Sequence, residues 1–521
     1  MRKVRYGDII MICSIMSCFF IHVPCAMAQQ ESTIVNFNEK GQQVTKYTSL
    51  GEAVDAHDGE IAYFDGVYYL YGTSYGCGFE WGVKDAPFCG FKTYSSTDMV
   101  HWTDRGFMFD ASTALWQSRC NGSTYGCFRP HVIFNKKKGK YVLWINVYDN
   151  RVGFRVFTSN SPVGPFEEVT EPTLAVNNLA PIAGLNNGDH DTFVDDDGTA
   201  YIAFTDWRTK GTIVIEELDE NYLSGTGRHV KAVTEGKTEA PGLFKRNGIY
   251  YVTYSDPNCG YCSGTGTSYR TAKSPLGPWS EGTKISDNSC GGQPSFVSTI
   301  QLASGTIYLY GSDLWNNAAK NEALANFYWA PLIFEEDGSI QPMECLQKFS
   351  VPLDKKQKEA PKAVDKNVIS SGIDGFSNYC DISGGVQRLQ NFTTTMNGQL
   401  SEVSITTFKS GYPDADLEIA IYESEADFSL KGKPLFTLSV PADSIKWSPN
   451  YFTFSTNIAV EAGGQYAIVL RSAAEKGCYG IAFNDLSPDG KWGAAYRSVN
   501  DATFSEEEHR SLMFRAIISK K

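Results

Sequence analysis

The stretch Asp189-His190-Asp191-Thr192-Phe193-Val194-Asp195-Asp196-Asp197-Gly198-Thr199-Ala200-Tyr201-Ile202-Ala203-Phe204 decides how the N-terminal two-thirds of the chain is read. Two apolar runs flank an Asp-Gly turn, and Asp-Gly supplies the positive-φ residues a tight hairpin requires. The first run opens on acids and the second is aromatic, as a buried strand is. The same unit recurs on both sides. Tyr68-Tyr69-Leu70-Tyr71 follows Asp65-Gly66, and Tyr141-Val142-Leu143-Trp144 follows Lys138-Gly139. Tyr250-Tyr251-Val252-Thr253 follows Asn247-Gly248, and Ile307-Tyr308-Leu309-Tyr310 follows Ser304-Gly305. Closing strands are expected at 92–96, 155–159 and 269–273, and no convincing amphipathic helix interrupts the series. One meander cannot bury both of its faces, whereas stacked meanders bury each other. Five such units predict an all-β fold with a five-bladed β-propeller, whose first strands converge on a central axis.

Outside the repeat the composition changes. Residues 354–365 form a Lys-rich linker with Pro361. Beyond it, Val403-Ser404-Ile405-Thr406-Thr407-Phe408 alternates, and Tyr466-Ala467-Ile468-Val469-Leu470 reads as a buried strand. Residues 366–521 are therefore expected to form a jelly-roll-like β-sandwich. It carries no catalytic constellation, so its expected role is accessory, as a structural cap or a sugar-binding unit. At the other end, Arg2, Lys3 and Arg5 precede an apolar run from Ile9 to Val23 and a small-x-small site at Ala26-Met27-Ala28. This pattern predicts a signal peptide over 1–28 and a secreted or periplasmic protein. The apolar run is shorter than the roughly 20 residues of a spanning helix. The propeller then occupies 29–353.

The chain carries a formal net charge of −13, which disfavours nucleic acid and anionic membranes as partners. A neutral oligo- or polysaccharide is compatible with it. Three of the thirteen cysteines lie in the expected leader, and the even remainder of an exported chain suggests disulfides. Cys77 with Cys89, Cys120 with Cys127, and Cys259 with Cys262 are close in sequence, but spacing does not settle pairing. Trp81, Trp116, Trp207 and Trp315 fall in loops or at strand ends, where rings stack on sugar or simply pack.

Cleavage of a glycosidic bond takes two carboxyl groups, one protonating the leaving oxygen and one activating water or attacking. The expected innermost strands begin His57-Asp58-Gly59-Glu60-Ile61, Arg129-Pro130-His131-Val132-Ile133, Asp189-His190-Asp191-Thr192-Phe193, Glu239-Ala240-Pro241-Gly242-Leu243 and Gln293-Pro294-Ser295-Phe296-Val297. Three of the five place an acid at the strand entrance.

These fragments, in this order, resemble the family 43 glycoside hydrolases over roughly residues 50–350. The first-blade motif appears as Asp58-Gly59-Glu60-Ile61 followed by Tyr68-Tyr69-Leu70-Tyr71-Gly72, with Gly59 where the family has proline. The third-blade motif is the opening stretch, and the acid motif is Glu239-Ala240-Pro241 with Tyr250-Tyr251. The resemblance implies Glu239 as general acid and Asp58 as the base that deprotonates water. It implies Asp189 as the third acid, which tunes and orients Glu239; Asp191 competes, since strict alternation would put both on one face. Asp195, Asp196 and Asp197 are read as turn residues.

Ala56-His57 and Gln293 resemble the exo-β-1,3-galactanase branch, in which the base position is often not aspartate; Glu60 and Gln293 are then alternative water handlers. His57, Gln293 and His131 are the expected substrate-binding residues. Many members have a histidine where Gln293 stands, sometimes tied to a calcium. The resemblance therefore implies no metal ligand or cofactor here, with a structural calcium left open. The implied activity is inverting and exo-acting, an α-L-arabinofuranosidase or β-D-galactofuranosidase, with exo-β-1,3-galactanase as the alternative. Retaining fructan hydrolases place Asn before the nucleophile and Cys after the acid, where this chain has His57 and Ala240. A non-catalytic glycan-binding protein would not need all three acids.

Overall fold

The computed structural model describes residues 31–120, 126–147, 152–176, 187–257, 262–315, 320–353, 367–371, 377–425, 429–484, 493–500, 503–507 and 510–520. The expected leader and linker, and Cys259, lie outside these residues. Among the described residues the chain is almost wholly β, with one short α-helix, Ala114–Cys120. That helix departs from the all-strand reading, being too short to announce itself by periodicity. Trp116 holds it against Phe109 and Phe157, at 4.8 and 5.5 Å between ring centres. The Cys120–Cys127 disulfide ties its end to the next strand.

Five antiparallel meanders follow one another. The first comprises His57–Phe64, Val67–Thr73, Phe91–Ser96 and Thr103–Phe107, and the second Cys127–Asn135, Lys140–Val147, Phe154–Ser159 and Glu167–Thr170. The third is Asn187–Val194, Ala200–Asp206, Thr212–Leu218 and Gly225–Val230. The fourth is Glu239–Arg246, Ile249–Ser255, Thr267–Ala272 and Thr283–Ser286. The fifth has three strands, Gln293–Leu302, Gly305–Leu314 and Asn326–Pro331. Every aromatic run singled out in the sequence is the second strand of its sheet. The turns fall where read; Asn247 and Gly248 take φ of 50° and 77° and Asp65 and Gly66 51° and 84°, whereas at 197–198 only Gly198 has positive φ.

Each pair of neighbouring sheets is joined by its own apolar cluster. Tyr71 and Phe91 meet Val132 and Leu143; Trp144 and Val156 meet Ile202 and Phe204. Ala203 and Ile215 meet Leu243 and Val252, and Phe244 and Tyr251 meet Val297 and Tyr310. The series returns to its start, because Ile300, Leu309 and Trp329 of the fifth sheet pack on Ile61, Leu70 and Tyr94 of the first. The same cluster takes in Ile34, Phe349 and Val351, from a two-stranded sheet pairing Glu31–Val35 with Lys348–Pro352. Each fully buried side chain of this size contributes about 1.5–3 kcal/mol, so the ring is held by its inter-sheet seams.

The C-terminal residues form two further sheets. One centres on Gly398–Ser410, Phe514–Ser519 and Cys478–Asn484, the other on Leu417–Ser424, Gln465–Arg471 and Val386–Thr393. They share one core: Val403, Ile405 and Phe514 of the first lie in a cluster with Ile419, Ile468 and Phe392 of the second. The expected alternation in 403–408 is not an alternation of burial. Ser404, Thr406 and Thr407 are buried too. The outer face of this sheet is covered, with Ala482 and Met513 packing on Tyr47 and Ala53. Disulfides join Cys77 to Cys89, Cys120 to Cys127, Cys290 to Cys345 and Cys380 to Cys478. The last two span 55 and 98 residues, which no sequence spacing discloses.

Candidate active site

All five innermost strands are broken at the same place. Pairing in the first sheet steps from His57–Thr73 to Glu60–Tyr71, so Asp58 and Gly59 together face one residue. The step falls at Arg129 and Pro130 in the second sheet, at Gly188 and Asp189 in the third, and at Ala240 and Pro241 in the fourth. In the fifth, Ser295 is the extra residue. A β-bulge bends the strand and re-aims its side chains, and bulges recur beside active sites. Asp58, Arg129 and Ala240 sit in these bulges at φ of 52°, 57° and 51°. Left-handed backbone at a non-glycine residue costs on the order of 1–3 kcal/mol and is retained where the surroundings impose it.

Asp58 is buried, and three donors hold its carboxylate. Thr73 Oγ1 and the Arg129 backbone N–H donate to Oδ1 at 2.6 and 3.1 Å, and the Tyr75 hydroxyl donates to Oδ2 at 2.5 Å. Its own N–H donates to Asp313 Oδ2 at 3.1 Å. Burial is the main influence on the Asp58 carboxyl and pushes it up to about 6. Arg129 opposes the shift, Asp313 adds to it, and the Thr73 and Tyr75 hydrogen bonds oppose it. Burial and Asp58 together push the Tyr75 phenol well above its ordinary range, so it stays a donor.

Arg129 joins the acids. Its Nη2 lies 2.9 Å from Asp189 Oδ2, and its Nη1 donates to the Pro294 and Ser295 carbonyls at 3.0 and 3.3 Å. Burial works against its charge, but Asp189, Asp58, Asp313 and Glu239 outweigh it and raise its pKa. One buried guanidinium thus spans from the second sheet to the third and fifth, and senses four carboxylates. Glu239 is buried at the entrance of the fourth sheet, where Gln293 Nε2 donates to its Oε1 at 2.8 Å. The Trp315 indole N–H, which can only donate, donates to Gln293 Oε1 at 3.1 Å. The indole therefore sets which way the amide faces, and its NH₂ is left to face Glu239.

The structure separates Asp189 from Asp191. Asp189 lies inside the bulge, with its side chain 18% exposed and paired with Arg129. Asp191 lies beyond it in regular pairing, buried, accepting from Leu243 N–H at 2.6 Å and 3.0 Å from His131 Nδ1. The shared face expected from alternation fails because the extra residue breaks the alternation. Glu60 goes with Asp191: it accepts from Val132 N–H at 2.5 Å and lies 3.8 Å from His131. Burial, opposed by His131 and reinforced by Asp191, pushes Glu60 up to about 7. Among the described residues these three are the group whose donor atoms lie close enough to hold a metal, within 4.8 Å of one another. Both carboxylates accept backbone N–H groups and flank His131 as a buried ion pair, while neither ring nitrogen of His131 makes a hydrogen bond to a described residue.

Two of the residues expected to contact substrate are enclosed by protein in this structure. His57 and His131 are both 0% exposed. His57 is flanked by Asp55 and Asp313 at 3.5 and 3.7 Å and stacks on Phe327 at 5.0 Å. Burial alone would lower its pKa, but the two aspartates raise it to about 9. Both rings are covered by residues of neighbouring sheets, His57 by Phe327 and Asp313 and His131 by Asp191 and His190. Gln293 is partly exposed and lies on Glu239. Trp116 is buried in the helix contact, whereas Trp81 is exposed beside Phe128 at 5.5 Å. Sequence reasoning missed Arg129, Asp313, Thr73 and Tyr75. Arg129 had a usable signal, a charged residue before proline at an innermost-strand entrance; the other three had none.

The chain is similar to known proteins over this same region. It is 28% identical to a β-D-galactofuranosidase of Aspergillus niger over 293 residues, covering 55% of this chain and 82% of that protein. It is 26% identical to an arabinoxylan arabinofuranohydrolase of Bacillus subtilis, covering 38% of this chain and 43% of the other. The solved structure of an exo-β-1,3-galactanase from Clostridium thermocellum aligns over 94% of this chain and all of that one, with a TM-score of 0.52 at 18% identity, a likeness of fold. The family model described as glycosyl hydrolases family 43 matches residues 52–331. That span contains the entrances of all five innermost strands with Asp58, Arg129, Asp189, Glu239 and Gln293, and the chain belongs to glycosyl hydrolase family 43 and is a glycosidase.

Proposed function

We propose that the protein is an exported, exo-acting, inverting glycosidase that removes one terminal furanosyl sugar, α-L-arabinofuranose or β-D-galactofuranose, from a plant-type or microbial polysaccharide. In this reading residues 29–353 are a five-bladed β-propeller, supported by the closed series of inter-sheet clusters. Residues 366–521 are a β-sandwich, supported by the core its two sheets share. Among the described residues no helix is long and apolar enough to cross a membrane, which accords with export after removal of 1–28. No cofactor enters the reaction.

The observation that carries the reading is the bridge through Arg129, which takes Asp58 by its backbone and Asp189 by its guanidinium. Asp58 takes a proton from water as the water oxygen attacks the anomeric carbon. The bond to the leaving oxygen breaks, and Glu239 gives that oxygen its proton. Asp189, anchored by Arg129, sets the field around the acid. Similarity to a galactofuranosidase and an arabinofuranohydrolase supports a furanosyl substrate. Contact of Trp81 with Phe128, at the start of the strand Cys127–Asn135, supports a walled pocket that admits a chain end.

A panel of aryl furanosides and pyranosides, followed by arabinogalactan, tests the substrate. An inverting enzyme holds its two carboxyls about 6.5–9.5 Å apart and a retaining one about 5–5.5 Å. Proton NMR of the first product should show the opposite anomer to the substrate; retained configuration overturns the mechanism. One observation favours a second reading, exo-β-1,3-galactanase: Gln293 lies on Glu239 with its amide oriented by Trp315. Release of galactose from β-1,3-galactan with no furanoside cleavage would decide for it.

The Tyr75 hydrogen bond favours ionised Asp58, so Tyr75→Phe should raise the Asp58 pKa above about 6. A hydrogen bond to a charged group is worth about 1.5–3 kcal/mol and one pKa unit about 1.4 kcal/mol. The acid limb of the pH–rate profile should therefore move to higher pH by about one unit. An unmoved limb would remove Asp58 from that limb.

A further inference from the structure

One short segment of the C-terminal residues comes close to the proposed catalytic base on two sides. Residues 446–451 lead into the strand Asn450–Val460 and touch both chain segments that build the Asp58 site. On one side the Ala53 N–H donates to the Pro449 carbonyl at 2.8 Å, and Lys446 Nζ lies 3.2 Å from Glu52. Ala53 stands just before Asp55, His57 and Asp58. On the other side Trp447 and Ser448 close over Gly76 and Gly78. A Cβ on Gly78, where φ is 99°, would meet the Trp447 ring at 2.7 Å, and one on Gly76 would come within 3.1 Å of Ser448 Oγ. Glycine is required at 78 both for its φ and for the approach of the indole.

The two sides meet at Asp55. Its carboxylate accepts from Ser74 Oγ, Tyr75 N–H and Gly76 N–H at 2.6, 2.8 and 2.9 Å. Tyr75 then reaches Asp58 with its hydroxyl. Tyr75, Phe79, Ala86 and Ala323 form a small apolar cluster against which Trp447 and Trp315 pack. Asn321 pins the clamp, its Nδ2 donating to the Trp447 and Lys409 carbonyls at 3.2 and 3.3 Å. The Cys77–Cys89 disulfide closes the loop on itself, so its position relative to Asp58 is set by Asp55 on its inner side and by what packs on its outer side.

We infer that Trp447 is a positioning residue for the base: it holds the loop that carries Tyr75, and the C-terminal sheets therefore complete the active site. This goes beyond the accessory role expected from the sequence, and it rests on the reading of Asp58 as base. Trp447 acts on chemistry through Tyr75, so its loss affects turnover more than binding.

The test uses the full chain and whichever aryl glycoside the wild type hydrolyses. Trp447→Ala should lower kcat about 10- to 100-fold, the scale of an ångström-level misplacement, with KM changed less than about threefold. Its acid limb should move in the same direction as that of Tyr75→Phe, and Trp447→Phe should recover most of the loss. In the double variant Tyr75→Phe/Trp447→Ala the two losses should not multiply, since both act through one hydroxyl. Wild-type kcat and pH profile in Trp447→Ala, or losses that multiply, overturn the inference. Should Trp447→Ala fail to fold, Gly78→Ala displaces the loop from the indole without touching the C-terminal core, and the same outcomes decide.

Hydrogen exchange provides a readout independent of the substrate. Amides 74–79 should lose protection in Trp447→Ala while those of 465–471 keep theirs, and unchanged protection at 74–79 overturns the inference. Wild-type inactivity on every glycoside, or full activity in Asp58→Asn, would instead refute the proposed function and leave the exchange result to stand by itself.

Discussion

Glu239→Gln should lower the rate on a natural polysaccharide by about 10² to 10⁴, the usual contribution of a general acid. The same variant should lose far less on an aryl glycoside whose leaving group has a low pKa, because that oxygen departs without a proton. The substitution is nearly isosteric, and Gln293 Nε2 still has an oxygen at position 239 to donate to, so the site should keep its shape. The ratio of the two losses is thus a measure of proton donation and not of misfolding. Equal losses on both substrate classes would take Glu239 out of the acid role. Parallel measurement of Gln293→Ala separates orientation from donation: losing the amide should cost both substrates alike.

Asp58→Asn should remove activity by about 10⁴, the upper end for a general base, and on both substrate classes. Water must lose a proton whatever the leaving group, so no aryl substrate rescues it. Thr73 Oγ1, the Arg129 N–H and the Tyr75 hydroxyl all donate to the aspartate. An asparagine turns one acceptor into a donor, and the Tyr75 hydroxyl must then rotate to accept. That change costs about 1 kcal/mol of stability, small beside the catalytic loss, and a melting curve distinguishes the two. Survival of activity in Asp58→Asn, with Gln293→Ala inactive, would move the base to the amide and favour the galactanase reading.

The C-terminal clamp bears on both experiments. Truncation before the linker would expose the outer side of Trp315 and the Tyr75 loop as well as the apolar patch of Tyr47 and Ala53. A truncated chain that loses activity therefore reports on Asp58 as much as on solubility. Point substitutions at Trp447 are the cleaner instrument.

The all-β character, the five hairpins and the three entrance acids were legible in the sequence because they are local. A Gly-containing turn between an acid-led run and an aromatic run specifies a hairpin through φ preferences and burial within about a dozen residues. Asp58, Asp189 and Glu239 were legible for the same reason, each standing eight or nine residues before the glycine of such a hairpin. What only the tertiary structure decided depends on register and on contacts between distant segments. A β-bulge is one extra residue in the pairing of two strands, and side-chain alternation cannot reveal it, so alternation put Asp191 on one face with Asp189 until the bulge between Asn187 and His190 parted them. The burial of His57 and His131 follows from the neighbouring sheets, not from their own strands. Arg129 reaches Asp189 across 60 residues of sequence, and Trp447 reaches Gly78 from the far end of the chain. Such contacts form only when the ring of sheets closes and the C-terminal pair docks on it, because the energy that selects them is the burial of surfaces that exist only in the folded chain.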